Sequence, residues 1–196
     1  MTLSPNSKNF TIRSDKDLQK VTVGELKPLN AEITLVEYDP QWPELFRQEA
    51  NRIISVLPEN VIQVEHVGST SIPGLCAKPI MDMLLIVENS ADESSYLPIL
   101  EAAGYTLHIR EPEWLEHRVF KGPVTDINLH VFTKDTSEID RMLLFQDWLR
   151  IHKADRNKYA RVKKELAKNK WRHVQPYADA KTSIIEEIMQ RASANK

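Results

Sequence analysis

Residues 79–87, PIMDMLLIV, are apolar at nearly every position, so both sides of this stretch must be covered. A strand of this kind belongs in the middle of a sheet rather than at its edge. The run nevertheless carries a carboxylate, Asp82, in its centre. A charge inside a buried strand is costly unless a cation, a metal or a ligand pairs with it. Either Asp82 sits at the strand end and bonds local amides or Lys78, or it faces a ligand site.

The segment just upstream favours the second reading. EHVGSTSIPGLCAK brings a glycine, Gly68, and three hydroxyls, Ser69, Thr70 and Ser71, to the mouth of the strand. Gly68 allows close backbone approach, the hydroxyls lie beside backbone N–H groups, and Lys78 adds positive charge. Together they form an anion cradle. A phosphate site beside a strand carboxylate is the layout of metal-assisted phosphoryl or nucleotidyl chemistry. Asp82 is then the candidate ligand of a divalent cation, Mg²⁺ or Mn²⁺. His66, immediately before the turn, is a candidate donor to a phosphate or carbonyl.

The rest of the chain supplies the layers. Residues 1–30 are polar with little periodicity and read as an N-terminal extension; residues 31–196 form the domain. AEITLVEY alternates as a strand does, and PQWPELFRQEANRIISVLP carries an apolar helical stripe with Pro43 at its start. VIQVEHV, YTLHI, HRVFKG and DINLHVF are further strand candidates, and residues 92–103 a helix interrupted by Pro98. TSEIDRMLLFQDWLRIHK opens as a helix capped by Ser137 with Asp140 three residues on. DRNKYARVKKELAKNK and YADAKTSIIEEIMQRA continue in helical register. The pattern is α+β, a mixed sheet flanked by helices with a helical C-terminal part.

With 196 residues, 41% of them hydrophobic, the chain can bury one sizeable core. A net charge of −2 argues against a dedicated nucleic-acid binder. No run approaches the roughly 18 apolar residues that span a bilayer, the start has no apolar signal core, and Cys76 stands alone. These point to a cytoplasmic chain.

VEHVGSTSIPGLCAKPIMDMLLIV resembles the GrpB family almost position by position. The likeness continues through EYDPQWPELF, NLHVF, FQDWLRIHKADRNKYARVKKELA and YADAKTSIIEEI, covering roughly residues 33–192. The span also resembles the nucleotidyltransferase signature: Gly-Ser, a gap of about a dozen residues, then an acidic strand. The resemblance implies a nucleotidyltransferase-like fold and a nucleotide or phosphorylated small molecule as partner. It raises Arg118, and also Tyr159 with Lys163, whose one-turn spacing is part of the family pattern, as ligand contacts. Some relatives are joined to dephospho-coenzyme A kinase. The sequence departs from the superfamily where a second carboxylate is expected, since that position is Leu84. A later strand should bring the third, and DINLHVF presents Asp126, Asn128 and His130 on one face. His130 is either a catalytic partner of Asp82 or a satisfied core histidine. Two functions follow: nucleotidyl transfer, or a non-catalytic nucleotide- or coenzyme A-binding module.

Overall fold

A computed structural model describes residues 12–195. Five strands form one mixed sheet in the order β1-β2-β5-β4-β3. These are β1 (Gln63–Val67), β2 (Met81–Val87), β3 (Thr106–Glu111), β4 (His117–Lys121) and β5 (Ile127–Thr133). β2 pairs parallel to β5 and antiparallel to β1; β4 pairs antiparallel to both β5 and β3. The apolar run is therefore central and covered on both sides, as its composition requires.

Alternation divides the run between two layers. Met81, Met83, Leu85 and Val87 join Ile127, Leu129 and Val131 of β5 beneath α2 (Trp42–Val56) and α3 (Leu97–Ala102), where Ile53, Leu57 and Leu100 close the core. On the opposite face, Leu84, Ile86, Val67 and Phe132 pack against Ile139 of α4 (Ser137–Ile151). Asp82 lies on this second face, at the end the helix does not cover. Behind α4 come α5 (Lys153–Ala167), α6 (Val174–Asp179) and α7 (Thr182–Ala194). Ile72 and Leu75 of the Gly-Ser loop are buried among Leu149, Tyr159, Ile184 and Ile188, so the loop is anchored by the helical part.

Several local expectations change. AEITLVEY is extended but joins no strand: Ala31 bridges Trp171, Val36 bridges Ala77, and the Ile33 amide donates to the Ala167 carbonyl. Its alternation is real, since Ile33 is buried against Ala167 and Tyr177, but the surface it covers is helical. Thr136, not Ser137, caps α4 and makes no side-chain capping bond; its hydroxyl donates to the Thr133 carbonyl. The last helical segment divides into α6 and α7. Of the N-terminal extension, residues 1–11 lie outside the described residues. Residues Asp15–Val21 form α1, closed by a Ser14–Asp17 capping box, and Thr22 bridges Ile109 on β3. No helix of the described residues is long and apolar enough to cross a membrane.

Candidate phosphate site at the end of strand β2

The turn after β1 is built for contact with Asp82. Gly68 holds φ 69° and ψ −167°, and a Cβ there would stand 2.5 Å from Asp82 Oδ2. Only glycine allows the backbone to lie against the carboxylate in this way. Asp82 Oδ1 accepts from Asn128 Nδ2 at 2.7 Å and lies 3.7 Å from His130 Nε2. The parallel β2–β5 register, which sets Asp82 opposite Asn128, brings these three together. Although Asp82 lies deep among protein groups, 34% of its side chain stays accessible. Burial alone would raise its carboxyl pKa. Nearby His130, the Asn128 hydrogen bond and Lys78 outweigh it and hold the group well below the usual carboxylate range.

Four lysines from four elements surround this carboxylate. Lys163 of α5, 2% exposed, donates to Ser69 Oγ at 2.9 Å and to the Cys76 carbonyl. Its ammonium lies 5.2 Å from the centre of the buried Tyr159 ring. Lys121, at the end of β4, donates to Asn128 Oδ1 at 2.6 Å. Lys78 feels the attraction of Asp82 and the repulsion of Lys121 and Lys181; Lys181, at the start of α7, lies against Tyr177 and feels Asp82 as well. Burial pulls Lys163 down to about 7 and Lys78 to about 8, and lowers Lys181. Lys181 lies within the GrpB-like YADAKTSIIEEI and Lys121 within HRVFKG, but neither stretch shows that its lysine reaches this site until the chain is folded. Two clefts, of about 310 and 530 Å³, open elsewhere, and neither is lined by Asp82. At the Asp82 site, Asp82 and His130 keep 34% and 22% of their side chains accessible, which leaves them within reach of a ligand held by charge.

Over residues 32–191 the chain matches the family described as GrpB protein. The chain belongs to the GrpB family. A UPF0157 protein of Halalkalibacterium halodurans is 68% identical over 189 residues, 96% of this chain and 97% of that protein. The crystal structure of conserved protein GrpB from Enterococcus faecalis aligns with a TM-score of 0.69 at 32% identity, covering 81% of this chain and 96% of that one. A dephospho-CoA kinase of Mycolicibacterium paratuberculosis is 26% identical over 188 residues, which is 83% of this chain and 46% of that protein. The GLD-2/RNP-8 complex aligns with a TM-score of 0.50 at 15% identity, over 76% of this chain and 60% of that one. The GrpB fold is nucleotidyltransferase-like.

Four residues expected at the GrpB site belong elsewhere. His66 pairs across the ladder with Met83, so it faces α2, stacked on Phe46 at 4.9 Å. Its Nε2 shares a 3.0 Å hydrogen bond with the buried Thr70 hydroxyl, and burial takes its pKa down to about 4. Ser71 donates to the Gly68 carbonyl and to Gln146, both at 2.8 Å. Thr70 and Ser71 thus brace the turn from behind, leaving Ser69 to face the lysines. Arg118 lies on the opposite face of β4, in ion pairs with Glu93 and Glu116. Strand parity, which no single strand reveals about its neighbours, decides both His66 and Arg118.

A paired-metal centre does not fit these donors. Leu84, on the face of Asp82, is fully buried in the apolar cluster under α4. Asn128 turns its N–H towards Asp82 because Lys121 takes its oxygen, an amide orientation fixed by that network. Among the described residues no three His, Cys, Asp or Glu are grouped to hold a metal ion. Two-metal transfer needs shared carboxylates, and here four ammonium groups occupy the surroundings.

Lys163→Met is expected to stabilise the chain by about 2 kcal/mol at pH 6, after losing the bonds to Ser69 and Cys76. In the folded chain Lys163 loses its proton near 7, against an ordinary value of 10.5. Below pH 7 both folded and unfolded chains carry the charge, and the fold bears its full burial cost; above 10.5 neither does. The gain should therefore shrink as pH rises from 7 towards 10.5. Urea unfolding of both proteins at pH 6 and pH 10 reads this, and an equal difference at both pH values would refute it.

Proposed function

We propose that this protein binds a nucleotide or another phosphorylated small molecule over the Gly68 turn. Lys78, Lys121, Lys163 and Lys181 surround its phosphates, and Ser69 fixes their orientation. The observation that carries this reading is the convergence of four ammonium groups around one carboxylate. Burial lowers the basicity of Lys78, Lys163 and Lys181, and neighbouring ammonium groups lower it further at Lys78 and Lys163; a polyanion would relieve that repulsion. The reaction is nucleotidyl transfer: an acceptor oxygen attacks the α-phosphorus and pyrophosphate leaves. Buried Leu84 favours a second reading, in which the same ligand is bound without chemistry.

The test is thermal unfolding with ATP, GTP, CTP and coenzyme A, each with Mg²⁺, with Mn²⁺ and with EDTA. A ligand at one hundred times its Kd adds about 2.7 kcal/mol to stability. The expected result is a rise in Tm that persists in EDTA and is lost in Lys78→Ala combined with Lys181→Ala. A rise unchanged in that variant, or none with any polyanion, overturns the proposal. Pyrophosphate release that disappears in Asp82→Asn marks the enzyme; binding without release marks the module.

A further inference from the structure

A chain of hydrogen bonds leads away from Asp82 across the sheet. His130 Nε2 stands 3.7 Å from Asp82 Oδ1, and its other nitrogen, Nδ1, lies 3.0 Å from His117 Nε2. His117 Nδ1 in turn lies 2.7 Å from Glu111 Oε2, while Arg13 holds Glu111 Oε1 at 3.0 Å. The four residues come from β2, β5, β4 and β3 in spatial order and share one face. His117 is 5% exposed, stacked on Phe132 at 4.5 Å with Trp114 edge-on at 5.0 Å, so its ring cannot turn freely. His130 keeps 22% of its side chain accessible.

The protons along this chain follow from the chemistry of its far end. An ionised carboxylate only accepts, so His117 carries its proton on Nδ1. Burial keeps His117 neutral, pulling its pKa down to about 4 against the opposing pull of Glu111. Its Nε2 therefore has a lone pair, and His130 must present Nδ1–H to it. In a neutral His130 this leaves Nε2 bare, flanked by Asp82 from β2. We propose that Glu111 and His117 are positioning residues that hold His130 with its Nε2 unprotonated, ready to take the proton of an acceptor hydroxyl. This rests on the transfer reading given above. As the acceptor O–H bond breaks, its proton moves to His130 Nε2 and the oxygen bonds to phosphorus. The P–O bond to the leaving group breaks with its electron pair going to pyrophosphate. His130 then stands where the superfamily signature would place a third carboxylate.

The full chain, labelled with ¹⁵N in its histidine rings, tests this by long-range ¹H–¹⁵N NMR without any ligand. The expected spectrum shows His130 as the Nδ1–H tautomer, the less common one for free histidine. In His117→Phe, which keeps the stacking surface, His130 should revert to Nε2–H facing Asp82. In Glu111→Gln, whose side-chain oxygen still accepts from His117, the wild-type tautomer should return. Pyrophosphate release should fall roughly 100-fold in His117→Phe, the usual scale of general-base catalysis, with KM little changed. An Nε2–H tautomer in the wild type, or one unmoved by His117→Phe, overturns the proposal. Failure to bind any nucleotide would instead sink the transfer reading, while the tautomers still decide the relay.

Discussion

Leu84→Asp, which would place a second carboxylate two residues after Asp82, is expected to unfold the chain rather than to build a metal centre. Leu84 is fully buried between Val67, Ile86, Phe132 and Ile139, and its register neighbour on β5, His130, is already engaged with His117 and Asp82. An ionised carboxylate there has no free partner, and a protonated one would have to compete for that ring. The cost should exceed about 4 kcal/mol, the range reached only by such burial or by a large cavity. Urea unfolding followed by circular dichroism measures it. A variant as stable as the wild type that gained Mn²⁺ binding would show that the site reaches further under α4 than the packing allows. Leu84→Met, which keeps the volume, should cost less than about 1.5 kcal/mol.

Gly68→Ala is the second large expectation. Backbone angles of 69° and −167° are strained for any side chain, at roughly 1–3 kcal/mol. The new methyl group would also meet Asp82 Oδ2 at 2.5 Å and Asp82 Cβ at 2.9 Å. Together these should cost about 3 kcal/mol of stability and abolish the ligand-induced rise in Tm, because relief requires the turn and β2 to separate. Adding Asp82→Gly removes the clash but not the backbone strain. The double variant should therefore recover part of the stability and none of the binding. Full recovery would mean that the conformation at Gly68 costs nothing; no loss in the single variant would mean that the turn moves freely.

Much of the fold was readable from local pattern. The two-sided apolar run marked a central strand, and the glycine before it marked a close backbone approach, which in the structure is made to Asp82. Lys163 carried a spacing shared with the GrpB family. Lys121 and Lys181 could not be singled out in this way, since a lysine's meaning depends on which distant elements fold towards it. His66, Thr70 and Ser71 were misplaced for a different reason. The face His66 takes depends on the register of β1 against β2, while Thr70 and Ser71 lie beyond it in a short 3-10 turn that directs their hydroxyls to His66, the Gly68 carbonyl and Gln146. The relay from Glu111 to His130 was hidden because each member looked ordinary alone: an exposed-looking loop acid, a histidine opening a strand and another inside one.

Arg13 gives the chain ahead of the family-matched region a structural consequence of its own. One guanidinium clasps Glu111, at the outer strand of the sheet, and Asp179, at the end of α6; its backbone amide holds Asp179 a second time. It works as a buckle, closing the strand layer onto the helical layer along a seam that neither layer seals. Shortening the chain to its family-matched region would undo that buckle and leave the far acid of the histidine chain open to water. A segment remote from the phosphates would then govern how firmly the proton acceptor beside them is held.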